Sequence, residues 1–167
     1  VVWTRQFGTV DAEVAYGVAT DGTGVYTAGT TGGTLAEPKI GGTDGFLRKF
    51  DSGGNVLWTR QFGTTSTDDV YAVAAGALGV YVGGRTVIAF PGQTKVGGLY
   101  DAYVIKFDVS GTQQWVREFG TTREDWVFAL AVGAASVVVG GYAEENLPGV
   151  PATTGTMLVR LYDFDGN

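Results

Sequence analysis

An all-β fold made of three copies of one four-stranded unit is predicted by three features. The composition combines 28 glycines and 13% aromatic residues with only 17% charged residues, a mix suited to short strands joined by tight turns. One motif recurs with a period of about 55 residues, which signals a repeat architecture. Each period contains four strand-like runs, rich in β-branched or aromatic residues and bounded by Gly or Asp.

The recurring motif is Trp3-Thr4-Arg5-Gln6-Phe7-Gly8-Thr9, seen again as Trp58-Thr59-Arg60-Gln61-Phe62-Gly63-Thr64 and as Trp115-Val116-Arg117-Glu118-Phe119-Gly120-Thr121. It divides the chain into residues 1–55, 56–112 and 113–167, with the tail Tyr162-Asp163-Phe164-Asp165-Gly166-Asn167 matching Phe50-Asp51-Ser52-Gly53-Gly54-Asn55. In the first unit the strands are expected at Val2 to Phe7, Val14 to Ala19, Val25 to Gly29 and Phe46 to Phe50. Asp21-Gly22-Thr23-Gly24 is a hairpin turn in which glycine supplies a positive φ. Four antiparallel strands per unit, with no helical stripe, define the blade of a β-propeller, so residues 1–167 read as one propeller module.

If the run after each Gly turn is the outermost strand, the blades span residues 11–62, 66–119 and 123–167, and the third lacks its fourth strand. Residues 1–7 carry that strand's sequence. The last blade is therefore expected to be completed by the N-terminal strand, most simply that of a second copy, giving a six-bladed homodimer or, if the rotation does not close, a filament. The chain begins Val1-Val2-Trp3 without Met, which fits a processed product or a segment of something longer.

With 17 acidic against 11 basic residues and a net charge of -6, nucleic acid and anionic membrane surfaces are disfavoured as partners. No apolar run approaches the ~20 residues of a membrane-spanning helix. The sequence has no His and no Cys, which removes the usual general base, the thiolate nucleophile and the commonest metal ligands. No catalytic, cofactor or metal residues are assigned, and a non-enzymatic binding or structural module is expected.

The units resemble a bacterial β-propeller repeat family. In the middle unit the resemblance rests on Phe62-Gly63-Thr64, Asp68, Val80-Tyr81-Val82-Gly83-Gly84, Phe90-Pro91 and Asp101-Ala102-Tyr103-Val104-Ile105-Lys106-Phe107-Asp108. The first unit has Glu37-Pro38 in place of Phe-Pro, and the third has Leu147-Pro148 and Thr156-Met157-Leu158 in place of the Asp-x-aromatic start. The resemblance implies a secreted or cell-surface bacterial scaffold without a reaction. Phe50-Asp51-Ser52-Gly53-Gly54-Asn55-Val56-Leu57-Trp58 is also similar to the blade turn of quinone-dependent dehydrogenases, which implies an alternative with a calcium-quinone site.

Strand alternation puts Trp3, Arg5 and Phe7 on one face, and that face recurs in every unit, as expected of a blade-to-blade contact in which Arg stacks on an aromatic ring and reaches a carboxylate. The alternative is a multivalent sugar-binding propeller lectin using Trp3, Arg5 and Glu13, then Trp58, Arg60 and Asp68, then Trp115, Arg117 and Asp125: rings for stacking, charged groups for hydroxyls. Glu13, Asp68 and Asp125 otherwise read as turn caps. Asp163 to Asn167 has a superficial calcium-loop pattern, with a hairpin turn as the competing reading. The long third connections, Thr30 to Thr43, Arg85 to Tyr100 and Tyr142 to Gly155, are where specificity is expected. Within the middle one Arg85, Ile88, Phe90 and Lys95 are the candidate binding residues for a protein or glycan.

Overall fold

In a computed structural model, residues 1–151 and 157–167 are described. Eleven strands form three antiparallel sheets, and there is no helix among the described residues. Sheet 1 contains β1 (Glu13–Thr20), β2 (Val25–Thr31), β3 (Asp44–Phe50) and β4 (Val56–Phe62) in that spatial order. Sheet 2 repeats the order with β5 (Asp68–Gly76), β6 (Gly79–Thr86), β7 (Asp101–Phe107) and β8 (Gln113–Phe119). Sheet 3 has three strands, β9 (Asp125–Val132), β10 (Ser136–Ala143) and β11 (Met157–Asp163). The sheets follow the blade division rather than the repeat division. Gly155 and Thr156, where a loop end and a strand start are expected, lie outside the described residues.

The register is the same in each unit. Leu47 pairs with Ala28 and Arg60, and Val104 pairs with Gly83 and Arg117. The first strands lie side by side, since β5 contacts both β1 and β9, so the sheets fan out from a hub of first strands. Apolar side chains fill the two spaces between sheets. Tyr26, Leu47, Val70 and Val82 belong to one cluster, and Tyr81, Val104, Val127 and Val139 to the other. Alternation places one set of each middle-sheet strand in each cluster, which is what a sheet buried on both faces requires.

The third sheet has three strands within the chain, as the blade division predicts. One expectation needs correction: Val2 to Phe7 forms no strand. The reason is pairing: a fourth strand ladders with the third strand of its own sheet, and residues 1–7 have no such neighbour. They lie instead against sheet 1, with the Phe7 ring 5.8 Å from Phe46 edge-on and 6.1 Å from Phe50. That is the flank where an outer strand of a preceding unit belongs.

Candidate functional site

The recurrent Trp-Arg face is an intersheet lock. Trp3 Nε1 donates to Ser52 O at 3.0 Å, Trp58 Nε1 to Val109 O at 3.2 Å and Trp115 Nε1 to Phe164 O at 3.1 Å. Arg5 Nε donates to Gly54 O (2.7 Å), Arg60 Nε to Gly111 O (2.8 Å) and Arg117 Nε to Gly166 O (2.7 Å). Each guanidinium also lies 5.5–5.7 Å from its Trp ring centroid. Arg thus reaches backbone carbonyls of the next sheet's turn, and among the three Arg60 also reaches a carboxylate, Glu37 Oε1 at 4.0 Å. Gly54, Gly111 and Gly166 are fixed twice over, by φ of 77–84° and by the indole or guanidinium atoms that a Cβ would meet at 2.7–3.1 Å.

The same turns hold the calcium-like segment. Asp163 Oδ1 accepts N–H bonds from Asp165 (2.9 Å) and Asn167 (2.8 Å), and its Oδ2 accepts from Asn167 Nδ2 (3.1 Å). These bonds hold its carboxyl below the usual range, and the arrangement is that of an Asp-closed hairpin turn.

Glu13, Asp68 and Asp125 cap the turn after Phe-Gly-Thr. Thr9, Thr64 and Thr121 each donate both backbone N–H and hydroxyl to the acid four residues on. Asp68 N–H donates to Thr43 O and Asp125 N–H to Tyr100 O across the sheet boundary. The acids start the innermost strands, whereas Trp58 and Trp115 lie on the outermost strands opposite Lys49 and Lys106, toward the far end. Trp, Arg and acid are thus not brought together in one recess.

Asp68 and Asp125 are wholly buried, and one carboxyl oxygen of each has no hydrogen-bond partner among the described residues. Burial raises both acids from the ordinary aspartate value, with Asp44 adding to Asp68 and Asp101 to Asp125 by charge repulsion; Asp125 reaches about 6. A carboxyl whose folded value is raised keeps its proton longer in the native state, so native stability is lost as pH climbs from about 4 to about 6 and is level above. We expect Asp125→Asn to remove about 1 kcal/mol of the fall in stability between pH 5 and pH 7. Urea unfolding at the two pH values reads this, and an unchanged pH dependence in the variant refutes it.

The residues left for recognition lie at the hub. Each first strand carries a β-bulge, where its register slips by one residue, and the skipped residues are aromatic: Tyr16, Tyr71 and Phe128. A bulge re-aims a side chain, and here it builds a continuous row. The ring centroids of Tyr16 and Tyr71 are 5.4 Å apart, of Tyr71 and Phe128 5.6 Å, of Phe128 and Trp126 5.6 Å, and of Trp126 and Tyr142 5.4 Å. Tyr16 and Phe128 are half exposed, at 52% and 50%.

Arg85 sits in this row. Its guanidinium lies 3.9 Å from the Tyr100 centroid, 4.9 Å from Trp126 and 5.7 Å from Tyr71, and its Nε is 2.9 Å from Asp69 Oδ2. Tyr71 Oη donates to the same oxygen at 3.0 Å, while Trp126 Nε1 is without an acceptor among the described residues. Stacking faces, donors and one carboxylate converge within one aromatic array.

The other loop candidates disperse. Ile88 is exposed, Lys95 is paired with Asp101 at 3.3 Å, and Phe90 is 4% exposed with its ring 4.9 Å from Tyr103. Phe90 is therefore a core residue rather than an exposed contact, because the loop folds back over sheet 2. Sequence reasoning missed the row itself, although an aromatic residue stands three positions after each repeated acid.

No family model matches the chain. It is 32% identical over 126 residues to the regulatory protein FlaEY of Caulobacter vibrioides; the match covers 70% of this chain and spans 13% of that protein's length. The Neurospora crassa Pan2 WD40 domain overlaps 90% of this chain and 63% of its own at 12% identity, with a TM-score of 0.28. The fold described above rests on strand order and register.

Proposed function

We propose that the chain is a β-propeller module of three blades, a non-enzymatic scaffold that binds a glycan at the hub and associates with a second copy of itself. The observation that carries the binding reading is the half-exposed row Tyr16–Tyr71–Phe128 beside the Arg85–Asp69 pair. Flat aromatic faces suit sugar rings, and an Arg–Asp pair offers donors and acceptors to hydroxyls. The Trp-Arg-Phe faces are occupied by intersheet contacts, which favours the hub over the sugar site first expected on those faces. A cell-exterior location follows from the family resemblance. The quinone-dependent alternative has only the shared turn in its favour.

A glycan array probed with the wild type and with Tyr16→Ser/Phe128→Ser tests this. Both residues are half exposed, so the variant should still unfold cooperatively in urea, with a stability loss of about 2 kcal/mol or less. Binding to one glycan class, lost in the variant, is the expected result. No bound glycan, or binding indifferent to the substitutions, contradicts it; capture of a peptide ligand at the same row would make the site a protein-binding one.

A further inference from the structure

Gln61 and Glu118 hold the same place in successive units, paired with Phe46 and Tyr103 in their sheets. In sheet 1, Gln61 Nε2 donates to Asp44 Oδ2 and to Gly33 O, both at 2.8 Å, and Gln61 Oε1 accepts from Leu35 N at 2.9 Å. In sheet 2 the aspartate is kept as Asp101, wholly buried, but the amide is replaced by a carboxyl. Glu118 Oε2 assumes the accepting role, bonding Phe90 N at 3.0 Å. That leaves Oε1 in the role of Gln61 Nε2, buried and without a partner among the described residues. An ionised Glu118 is a second buried carboxylate repelled by Asp101, with its Oε1 lacking a donor among the described residues and Lys95 already bonded to Asp101. A protonated Glu118 supplies an O–H where Gln61 supplies an N–H.

We propose that Glu118 holds a proton which it donates to Asp101, and that this proton is a pH-sensitive latch on residues 87–100, the loop that completes the hub site. The loop is fastened largely to these two acids. Phe90 N–H bonds Glu118, Glu118 N–H bonds Gln93 Oε1 at 3.1 Å, Val96 N–H bonds Asp101 Oδ2 at 2.6 Å, and Lys95 Nζ bonds Asp101 Oδ1. At its end Tyr100 stacks on Arg85, and its carbonyl accepts Asp125 N–H at 3.0 Å. Loosening the loop therefore disturbs both the Arg85 cage and the start of β9. The link to ligand binding rests on the hub reading; the latch does not.

Burial pushes Glu118 up to about 7; the Phe90 N–H bond and Lys95 oppose this, and the charges of Asp101 and Asp68 add to it. Arg117 and Arg160 line the same cleft of ≈ 340 Å³. The native state thus keeps the proton between about 4.5 and about 7, and the latch opens as pH rises through the upper value.

Hydrogen exchange at the Phe90 and Val96 amides, corrected for intrinsic rates, tests the latch at pH 6 and pH 8. Wild-type protection should fall about tenfold or more at the higher pH, whereas Glu118→Gln, which copies the Gln61 arrangement, should hold its protection at both. Wild-type protection independent of pH, or an equal fall in Glu118→Gln, overturns the proposal. The latch result with no glycan bound at either pH would count against the hub reading alone.

Discussion

Trp58→Ala should destabilise the chain by roughly 3 kcal/mol in urea unfolding, while Trp3→Ala should cost less than about 1 kcal/mol. The two residues have the same sequence context and the same contact with the turn ahead of them. Trp58, however, stands on β4 with ladder bonds to β3, and its ring also packs 5.9 Å from Tyr26. Removing it opens a cavity against Gly111, strips the Val109 carbonyl of its donor and frees Arg60 from the ring it covers. Trp3 sits on a segment with no ladder, so its contacts with Ser52 and Phe50 secure only residues 1–7. Equal losses for the two variants would show that the lock draws nothing from sheet pairing.

The sheets were legible because each repeated signal has one local cause. Valine-rich runs make strands, Gly111 and its equivalents make turns, and an acid four residues after Thr makes a cap. What failed depended on which elements meet. Arg5 and Arg117 were expected to find a carboxylate, but they bond a turn whose backbone carbonyls face them, and Arg60 adds Glu37 to the same turn contacts. Phe90 looked like a loop contact because it falls in a long connection together with Ile88, Arg85 and Lys95, yet Tyr103 on the adjacent strand buries it. Glu13, Asp68 and Asp125 align with the Trp-Arg motifs in sequence but start the innermost strands, so the sugar-binding trios are not assembled. The hub row escaped notice because strand alternation alone does not place a bulged residue: Tyr16, Tyr71 and Phe128 gain their direction from a register slip. The significance of Glu118 emerged only against Gln61 and the buried Asp101.

We propose self-association from two features of the described residues, the unpaired edge of β11 and the segment 1–7. Val159 is 78% exposed, whereas Leu47 and Val104, its equivalents by register, are fully buried. Met157 and Leu161 are exposed beside it on the unpaired edge of β11. An open edge with apolar side chains recruits another strand, and residues 1–7 have the sequence of the strand that covers this position in sheets 1 and 2. By that register Arg5 of one copy should pair with Val159 of the other, and Trp3 with Leu161. Docking of residues 1–7 on sheet 1 already holds them on the flank where the neighbour's third sheet would arrive. Two copies joined this way at both ends make a ring of six complete blades with twofold symmetry. Light scattering on the 167-residue chain is the most direct test of this propeller account. We expect twice the mass of the chain, reverting to a single chain's mass when residues 1–7 are deleted; a stable, folded monomer of the intact chain would contradict it.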